Sequence, residues 1–434
     1  MPAEPTATTL TAEPGAPKQH FQLDVKFPVY SLAFTADHTL VLAGGGGSSR
    51  TGVKNRLSLY QIDTKKRQLS LLEEHELAKE EDAPMTLAVH RDSSALVAGV
   101  NSDLKTLEKG TNENLRVFSY GDSSIKYEKR KQTITSTDPD HYQVRPPFPP
   151  LSAHSTDRLL YPQKVTTFSR SPSSPLVAVG STNSQLSLLS YPDLDEVFPS
   201  LTYDGEEVFD ADFDDSGEML AGTSSNKLCV WSTKPVVDAD KPHEPLQVIE
   251  RPVLKKELVC TFRAAKFGRK STSSNLYTVV NAAPTGRTRK HPAGSKKAFV
   301  SLWDARSWRL VKTRTVSQKP ITAFDVSDDG TLLAYGSSDL SVGILDAVTL
   351  RPILTVLHAH DFPVTSLKFN PSSSLLVSGS ADNSVRLIEV PDASARGGNS
   401  TTYTVVFTLL ILLLAIIIQQ TFGDELLRTA RGIL

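Results

Sequence analysis

A unit of alternating strands recurs along this chain and leaves little freedom in what it can fold into. Its form is apolar-x-apolar-x-apolar, a turn, Leu-Leu-Val/Ala-x-Gly-Ser, a polar turn, then apolar-x-apolar. The clearest copy reads Pro363-Val-Thr-Ser-Leu-Lys-Phe369, Leu375-Leu-Val-Ser-Gly-Ser380 and Val385-Arg-Leu-Ile-Glu-Val390. The copy before it reads Ile321-Thr-Ala-Phe-Asp-Val326, Leu332-Leu-Ala-Tyr-Gly-Ser337 and Val342-Gly-Ile-Leu-Asp346. Earlier copies begin near Pro28, Pro84, Lys164, Glu207 and Phe262, which makes seven. Period-two alternation within each copy means strands with one face buried. Short strands in units of roughly 40 residues, repeated this often, describe a β-propeller. The expectation is an all-β, seven-bladed propeller over 21–390.

The ends of the repeat array suggest how the ring closes. The seventh copy runs out at Val390, where Pro391-Asp-Ala-Ser-Ala-Arg-Gly-Gly398 begins a linker, 391–400. It lacks an outermost strand. Phe21-Gln-Leu-Asp-Val-Lys-Phe27 alternates like a strand and has no partner of its own. Pairing the two leaves neither edge bare.

Insertions occupy some connections. Leu104–Leu115 lengthens the second copy, and Lys126–Leu160 contains the stiff stretch Arg145-Pro-Pro-Phe-Pro-Pro150. Pro284 to Lys297 holds five Lys or Arg and no acid, either a solvated loop or a contact for anionic lipid.

From Gly397 to Gly423 there is no charged residue, and Val405 to Ile418 is almost purely aliphatic. About 20 apolar residues cross a bilayer, so 401–422 reads as a single C-terminal transmembrane helix rather than a buried core helix. The order expected is a disordered tail 1–20, the propeller, the linker, the span, and a short lumenal tail 423–434. The first 20 residues lack a basic start or an apolar run, so they are not a secretory signal and the propeller is expected in the cytosol. Two cysteines, Cys229 and Cys260, agree with that compartment. Asn399-Ser400-Thr401 matches a glycosylation acceptor by chance on this reading.

Catalytic constellations are missing. The ten histidines are scattered, and only His358 and His360 are close, beside Asp361. That placement suits a structural hydrogen-bond network before a first strand better than a metal. No His-Glu-x-x-His, Cys-x-x-Cys or Gly-x-Ser-x-Gly appears. The acidic run Asp210–Asp215 reads as a turn between two strands.

One loop stands apart. Gly44-Gly45-Gly46-Gly47-Ser48-Ser49-Arg50-Thr51-Gly52-Val53-Lys54-Asn55 lies between two strand patterns, where four glycines have no reason to serve regular structure. The P-loop pattern fails, because Gly52 is followed by Val53-Lys54 instead of Lys and Ser/Thr. A dinucleotide fingerprint needs a following helix, whereas Arg56-Leu-Ser-Leu-Tyr60 reads as a strand. Glycine-rich backbone also presents carbonyl oxygens, as a hard cation prefers, and Asn55 ends the loop with an amide suited to a partner's polar site. Composition leaves these as possibilities among several.

Leu302-Trp303-Asp304 and Val230-Trp231-Ser232 resemble the signature of degenerate WD repeats. With Gly-Gly-Gly-Gly-x4-Gly-Val-x-Asn in the first copy and one C-terminal anchor, the chain resembles a particular family. That family is the endoplasmic-reticulum exchange factors that load GTP onto the Sar-type small GTPase to start COPII coat assembly. The resemblance implies that Gly44, Gly45, Gly46, Gly47 and Gly52 belong to a loop holding potassium. It implies that Asn55 contacts the GTPase, and that the activity is exchange without covalent chemistry. The partners implied are the Sar-type GTPase and the membrane, with no nucleic acid and no small-molecule substrate. Location at the endoplasmic-reticulum membrane follows, single-pass, with the propeller facing the cytosol. A ten-residue linker reaches at most about 35 Å, which would hold the propeller near that surface. The competing readings are a tail-anchored WD-repeat scaffold, which leaves the glycines unexplained, and a propeller hydrolase, which needs a channel cluster of acids or histidines.

Overall fold

The computed structural model describes residues 9–11, 19–47, 52–78, 81–133, 165–172, 175–235, 243–253, 258–284, 296–392, 408–414 and 416–417. Residues up to Val390 form one compact unit, and those from Pro391 onward form a second. The first unit is built from seven antiparallel sheets, one for each copy of the repeat. The innermost strands are Val29–Ala36, Thr86–His90, Val165–Phe168, Asp210–Phe213, Leu258–Phe267, Ile321–Val326 and Val364–Phe369. Each packs against the next, and Val364–Phe369 returns to pack on Val29–Ala36, which closes the ring.

Burial explains the sequence pattern. Second strands such as Leu332–Ser337 and Leu375–Ser380 are buried at every position, because a blade covers each face. The outermost strand Arg309–Ser317 is mostly exposed and carries three basic residues. The repeat's glycine has a packing reason as well. A Cβ on Gly379 would lie 2.7 Å from Val29 Cγ1 of the next blade. Glycine there lets neighbouring blades close up without a gap.

The seventh blade is shared between the chain ends. His20–Asp24 pairs antiparallel with Ser384–Glu389, with Phe21 opposite Leu387 and Leu23 opposite Val385. Phe21, Leu23, Val385 and Leu387 then fall in one apolar cluster with Val29 and Leu32 of blade one. The closure expected from the unpaired ends is therefore present.

Three expectations need correction. The tail 1–20 is not without structure, since Thr9–Thr11 pairs with the outermost strand of blade one through Leu10 opposite Leu69. Leu10 packs on the cluster containing Leu69, which is what orders these residues. Asp210–Phe213 is an innermost strand, not a turn, and the turn begins only at Asp214. The stretch read as an insertion from Lys126 starts later, because Ile125–Lys131 completes blade two. The insertion in blade two carries a short helix, Leu104–Glu108, capped by the Asp103 carboxylate on the amides of Lys105 and Thr106.

Most of the linker 391–400, parts of the span 401–422 and all of 423–434 lie outside the described residues, as does 285–295 of the basic loop. Residues 408–414 and 416–417 are helical. Among the described residues, no helix is long and apolar enough to cross a membrane.

Candidate functional site

The glycine loop joins the second and third strands of blade one, Thr39–Gly44 and Arg56–Asp63. Gly44 stands opposite both Val29 and Arg56, so the loop emerges where the innermost strands begin. Its first glycines are required by what lies against them. A Cβ on Gly44 would sit 1.9 Å from the Pro28 carbonyl oxygen. Gly45 has φ +144°, and a Cβ there would come within 2.4 Å of Asn55 Oδ1 and 2.6 Å of the Lys54 carbonyl oxygen. Gly47 and Gly52, at φ 72° and 81°, take left-handed conformations that favour glycine. Residues 48–51 lie outside the described residues.

Asn55 holds the two sides of this loop together. The Gly47 amide donates to Asn55 Oδ1 at 2.9 Å, and Asn55 Nδ2 donates back to the Gly47 carbonyl at 2.9 Å. The second Nδ2 hydrogen reaches the Glu81 carbonyl at 2.7 Å. The Asn55 carbonyl in turn accepts from the Leu77 amide at 2.9 Å. Further up the loop, the Gly45 amide donates to the Pro28 carbonyl at 3.0 Å and the Gly46 amide to the Val53 carbonyl at 3.3 Å. Both donors of the carboxamide are thus committed to this chain, and among the described residues Oδ1 accepts from the Gly47 amide. Gly45, Gly46, Gly47 and Gly52 lie between the two strands with Asn55, and Gly44 ends the strand before them.

The loop's described oxygen donors are backbone carbonyls, and no acidic side chain lies between Gly44 and Asn55. Such neutral donors suit a singly charged hard cation better than a divalent one, which prefers carboxylates. Among the described residues there is no group of three His, Cys, Asp or Glu that could hold a metal ion.

A second polar region fills the central channel, which encloses about 360 Å³. Several of its charges are paired. Asp210 accepts from Lys266 Nζ at 2.7 Å and from the Ala265 amide at 3.2 Å. Arg269 donates to both oxygens of Asp212 at 2.7 and 2.6 Å, and Asp212 also accepts from the Phe267 amide at 2.9 Å. Asp325 repeats the device with Lys368 Nζ at 2.6 Å and the Phe369 amide at 3.0 Å. Each pair stitches one innermost strand to the next. Burial, the largest single influence, would raise the Asp212 carboxyl, but Arg269, Lys266 and Arg170 together outweigh it and the group stays below its ordinary value. At the far end, Asp328 of blade six accepts from Arg91 of blade two and Arg170 of blade three. These pairs tie blades together.

In blade seven, His360 meets the expected structural use. Its Nε2 lies 2.8 Å from Ser378 Oγ, and its Nδ1 lies 3.0 Å from Ser384 Oγ and 3.2 Å from Asp382 Oδ2. His358 is exposed and takes no part.

Residues 351–389 match the family described as WD domain, G-beta repeat. A Candida glabrata protein named guanine nucleotide-exchange factor SEC12 is 24% identical over 411 residues, covering 93% of this chain and 80% of its own length. The Mus musculus protein of the same name is 26% identical over 355 residues, covering 80% of this chain and 82% of its own length. The chain is a relative of the SEC12 exchange factors. The crystal structure of Chaetomium thermophilum Raptor aligns at TM-score 0.55 and 13% identity, over 89% of this chain and 29% of Raptor, a likeness of fold alone.

For this SEC12 relative, sequence reading found the loop but missed what positions it. Glu81 contributes a backbone carbonyl, which no side-chain motif announces. The channel pairs did leave a signal. Asp in one innermost strand is followed by Lys-Phe in the next, as Lys266-Phe267 after Asp210 and Lys368-Phe369 after Asp325.

Proposed function

We infer that this chain is a guanine-nucleotide exchange factor for a small GTPase of the Sar type, acting at the endoplasmic-reticulum membrane to start COPII coat assembly. The observation that carries the reading is the pinned glycine loop of blade one, in a chain related to SEC12 proteins over most of its length. A loop pinned at its base is a tool this activity can use. A small GTPase holds nucleotide by many phosphate and magnesium contacts, so release is slow. A factor that binds the nucleotide-free state more tightly than the loaded one lowers the barrier to release. No covalent bond forms on this chain.

Asn55 is the residue that would meet the GTPase, and its bonds to Gly47 and Glu81 keep the loop in shape. Potassium would be held by carbonyls of Gly44, Gly45, Gly46, Gly47 and Gly52, and would supply order to a stretch that costs unusual entropy to fix. Single-pass anchoring through 401–422 fits the exposed apolar side chains from Leu409 to Leu414. Tethering would restrict exchange to the cytosolic membrane face.

The test is nucleotide release from a Sar-type GTPase with the full chain in detergent micelles, in potassium, sodium and a bulky organic cation at matched ionic strength. Fast release in potassium only supports the whole reading. Equal rates in all three remove the cation and keep the exchange activity. No acceleration in any of them overturns the function. Asn55→Ala should slow release about tenfold or more, a barrier change of about 1.4 kcal/mol, with the fold retained.

A further inference from the structure

The connection from blade one to blade two meets the base of the glycine loop and is itself clamped by a part-buried ion pair. Leu77 and Glu81 supply the amide and carbonyl that hold Asn55. The segment between them is closed on itself, since the Glu81 amide donates to the Ala78 carbonyl at 3.2 Å and Glu81 Oε2 accepts from the Ala78 amide at 3.1 Å. The other carboxylate oxygen, Oε1, accepts from Arg116 Nη2 at 2.7 Å. Arg116 stands on Leu115–Tyr120, the third strand of blade two, and its side chain is only 3% exposed. Among the described residues, its Nη1 has no hydrogen-bond partner.

A guanidinium this deeply buried is costly unless it is paired, and half-pairing is a poor way to stabilise a sheet. Replacing such a pair by apolar residues is often neutral for stability, so its presence asks for another reason. The geometry gives one. Glu81 is the only link by which blade two reaches the Asn55 side chain among the described residues. If the segment 77–81 drifts, the Glu81 carbonyl leaves Asn55 Nδ2, and Asn55 can then turn away from Gly47. The ion pair fixes where the glycine loop sits on a rigid blade.

We propose that Arg116 and Glu81 are positioning residues of the exchange site, acting through Asn55 to set the glycine loop. The proposal rests on the exchange-factor reading for its functional part, and on the hydrogen-bond path alone for its structural part. Neither residue touches the nucleotide or the GTPase in this account.

The experiment uses the full chain in detergent micelles and compares Arg116→Met, Glu81→Gln, Asn55→Ala and the double variants with Asn55→Ala. Two readouts are taken: amide hydrogen exchange of 44–55 without any GTPase, and nucleotide release from the GTPase. The expected result is faster hydrogen exchange across 44–55 in each single variant, with other blades unchanged. Release should slow roughly tenfold, and adding Asn55→Ala to either variant should cost little more, because one path is broken twice. Arg116→Lys, which keeps the charge, should recover part of the loss. Unchanged protection of 44–55 in folded variants, or losses that simply add to that of Asn55→Ala, would overturn the proposal. If Arg116→Met does not fold, Glu81→Gln decides by the same two readouts. If the unaltered chain releases no nucleotide, the function reading fails while hydrogen exchange still decides the positioning path.

Discussion

Blade one and blade seven solve the same problem in opposite ways. Both must close the connection between their second and third strands on the same face of the ring. In blade seven the connection is a tight turn, from Ser380 to Ser384, and Asp382 within it bonds to His360. In blade one it is the run from Gly45 to Asn55, and its closing amide bonds sideways to Glu81 on the way to blade two. The first arrangement is short and inward, and it locks a blade to itself. The second is long, and its described residues are anchored at the base of the loop by Asn55 and Glu81. A repeat thus becomes available for function where its own locking turn has been replaced by an anchor on a neighbour.

The contrast breaks most sharply at Gly45. Gly45→Val places a side chain where Asn55 Oδ1 and the Lys54 carbonyl already stand, at a φ that L-residues rarely adopt. The expected outcome is loss of exchange by more than about tenfold, from strain of order 1–3 kcal/mol released by unseating Asn55. Blade seven should be untouched, and nucleotide release against a melting curve measures both. Were release to survive intact, the anchored loop would not be the working part.

His360→Ala tests the other side. It removes the ring nitrogen from the Ser378 hydroxyl and one of several partners from Ser384 Oγ and from the Asp382 carboxylate, in a buried site. The expected cost is about 1–3 kcal/mol in a denaturant titration, with exchange per folded molecule unchanged. A drop in exchange at constant folded fraction would mean that the two blades are coupled.

A pH titration sharpens the same point. Burial raises the Asp382 carboxyl, but bonds from His360 and Ser384 outweigh it and hold the group at about 2. The free carboxyl titrates near 3.9. A group whose value is depressed by folding contributes fully above its unfolded value, and that contribution fades as pH falls through its folded one. Asp382→Asn should therefore be less stable than the parent above about pH 4 and converge on it by about pH 2. A constant gap across that window would remove Asp382 from the lock.

The smallest effect is expected at the N-terminus. Among the described residues, removing Met1–Pro17 deletes only the three-residue strand on blade one. It should lower the melting temperature by a few degrees at most, about 1 kcal/mol or less. Removing Met1–Asp24 takes the shared strand as well, bares Ser384–Glu389 and should destabilise far more. Equal melting curves for the two would refute the shared blade.

These regions also differ in how far the sequence announced them. Blade seven was legible throughout, because its alternation and its missing outer strand are periodic features and Phe21–Phe27 was the only unpaired match. The glycine loop was legible as an oddity, and its position between two strands followed from Arg56–Tyr60. What holds it was not. Glu81 acts through a main-chain carbonyl, and Arg116 sits in an alternating strand where a charge reads as solvent-facing, yet it is buried. Asp210–Phe213 misled for a related reason. Alternating Asp marks a turn when water solvates it, and a channel strand when Lys266 and Arg269 do. The resemblance to exchange factors supplied the loop's meaning, which no periodicity could.

The shared blade also imposes a schedule on synthesis. His20–Asp24 leaves the ribosome early, but the strand it must pair with, Ser384–Glu389, is made about 360 residues later. At about 5–20 residues per second the first strand waits roughly 20–70 s for its partner. Through that interval the ring stays open beside blade one, with the apolar side chains of Phe21 and Leu23 uncovered. Closure and the start of the apolar segment near residue 409 then arrive almost together, so completion of the propeller and the delivery of its C-terminal segment fall within the same few seconds of translation.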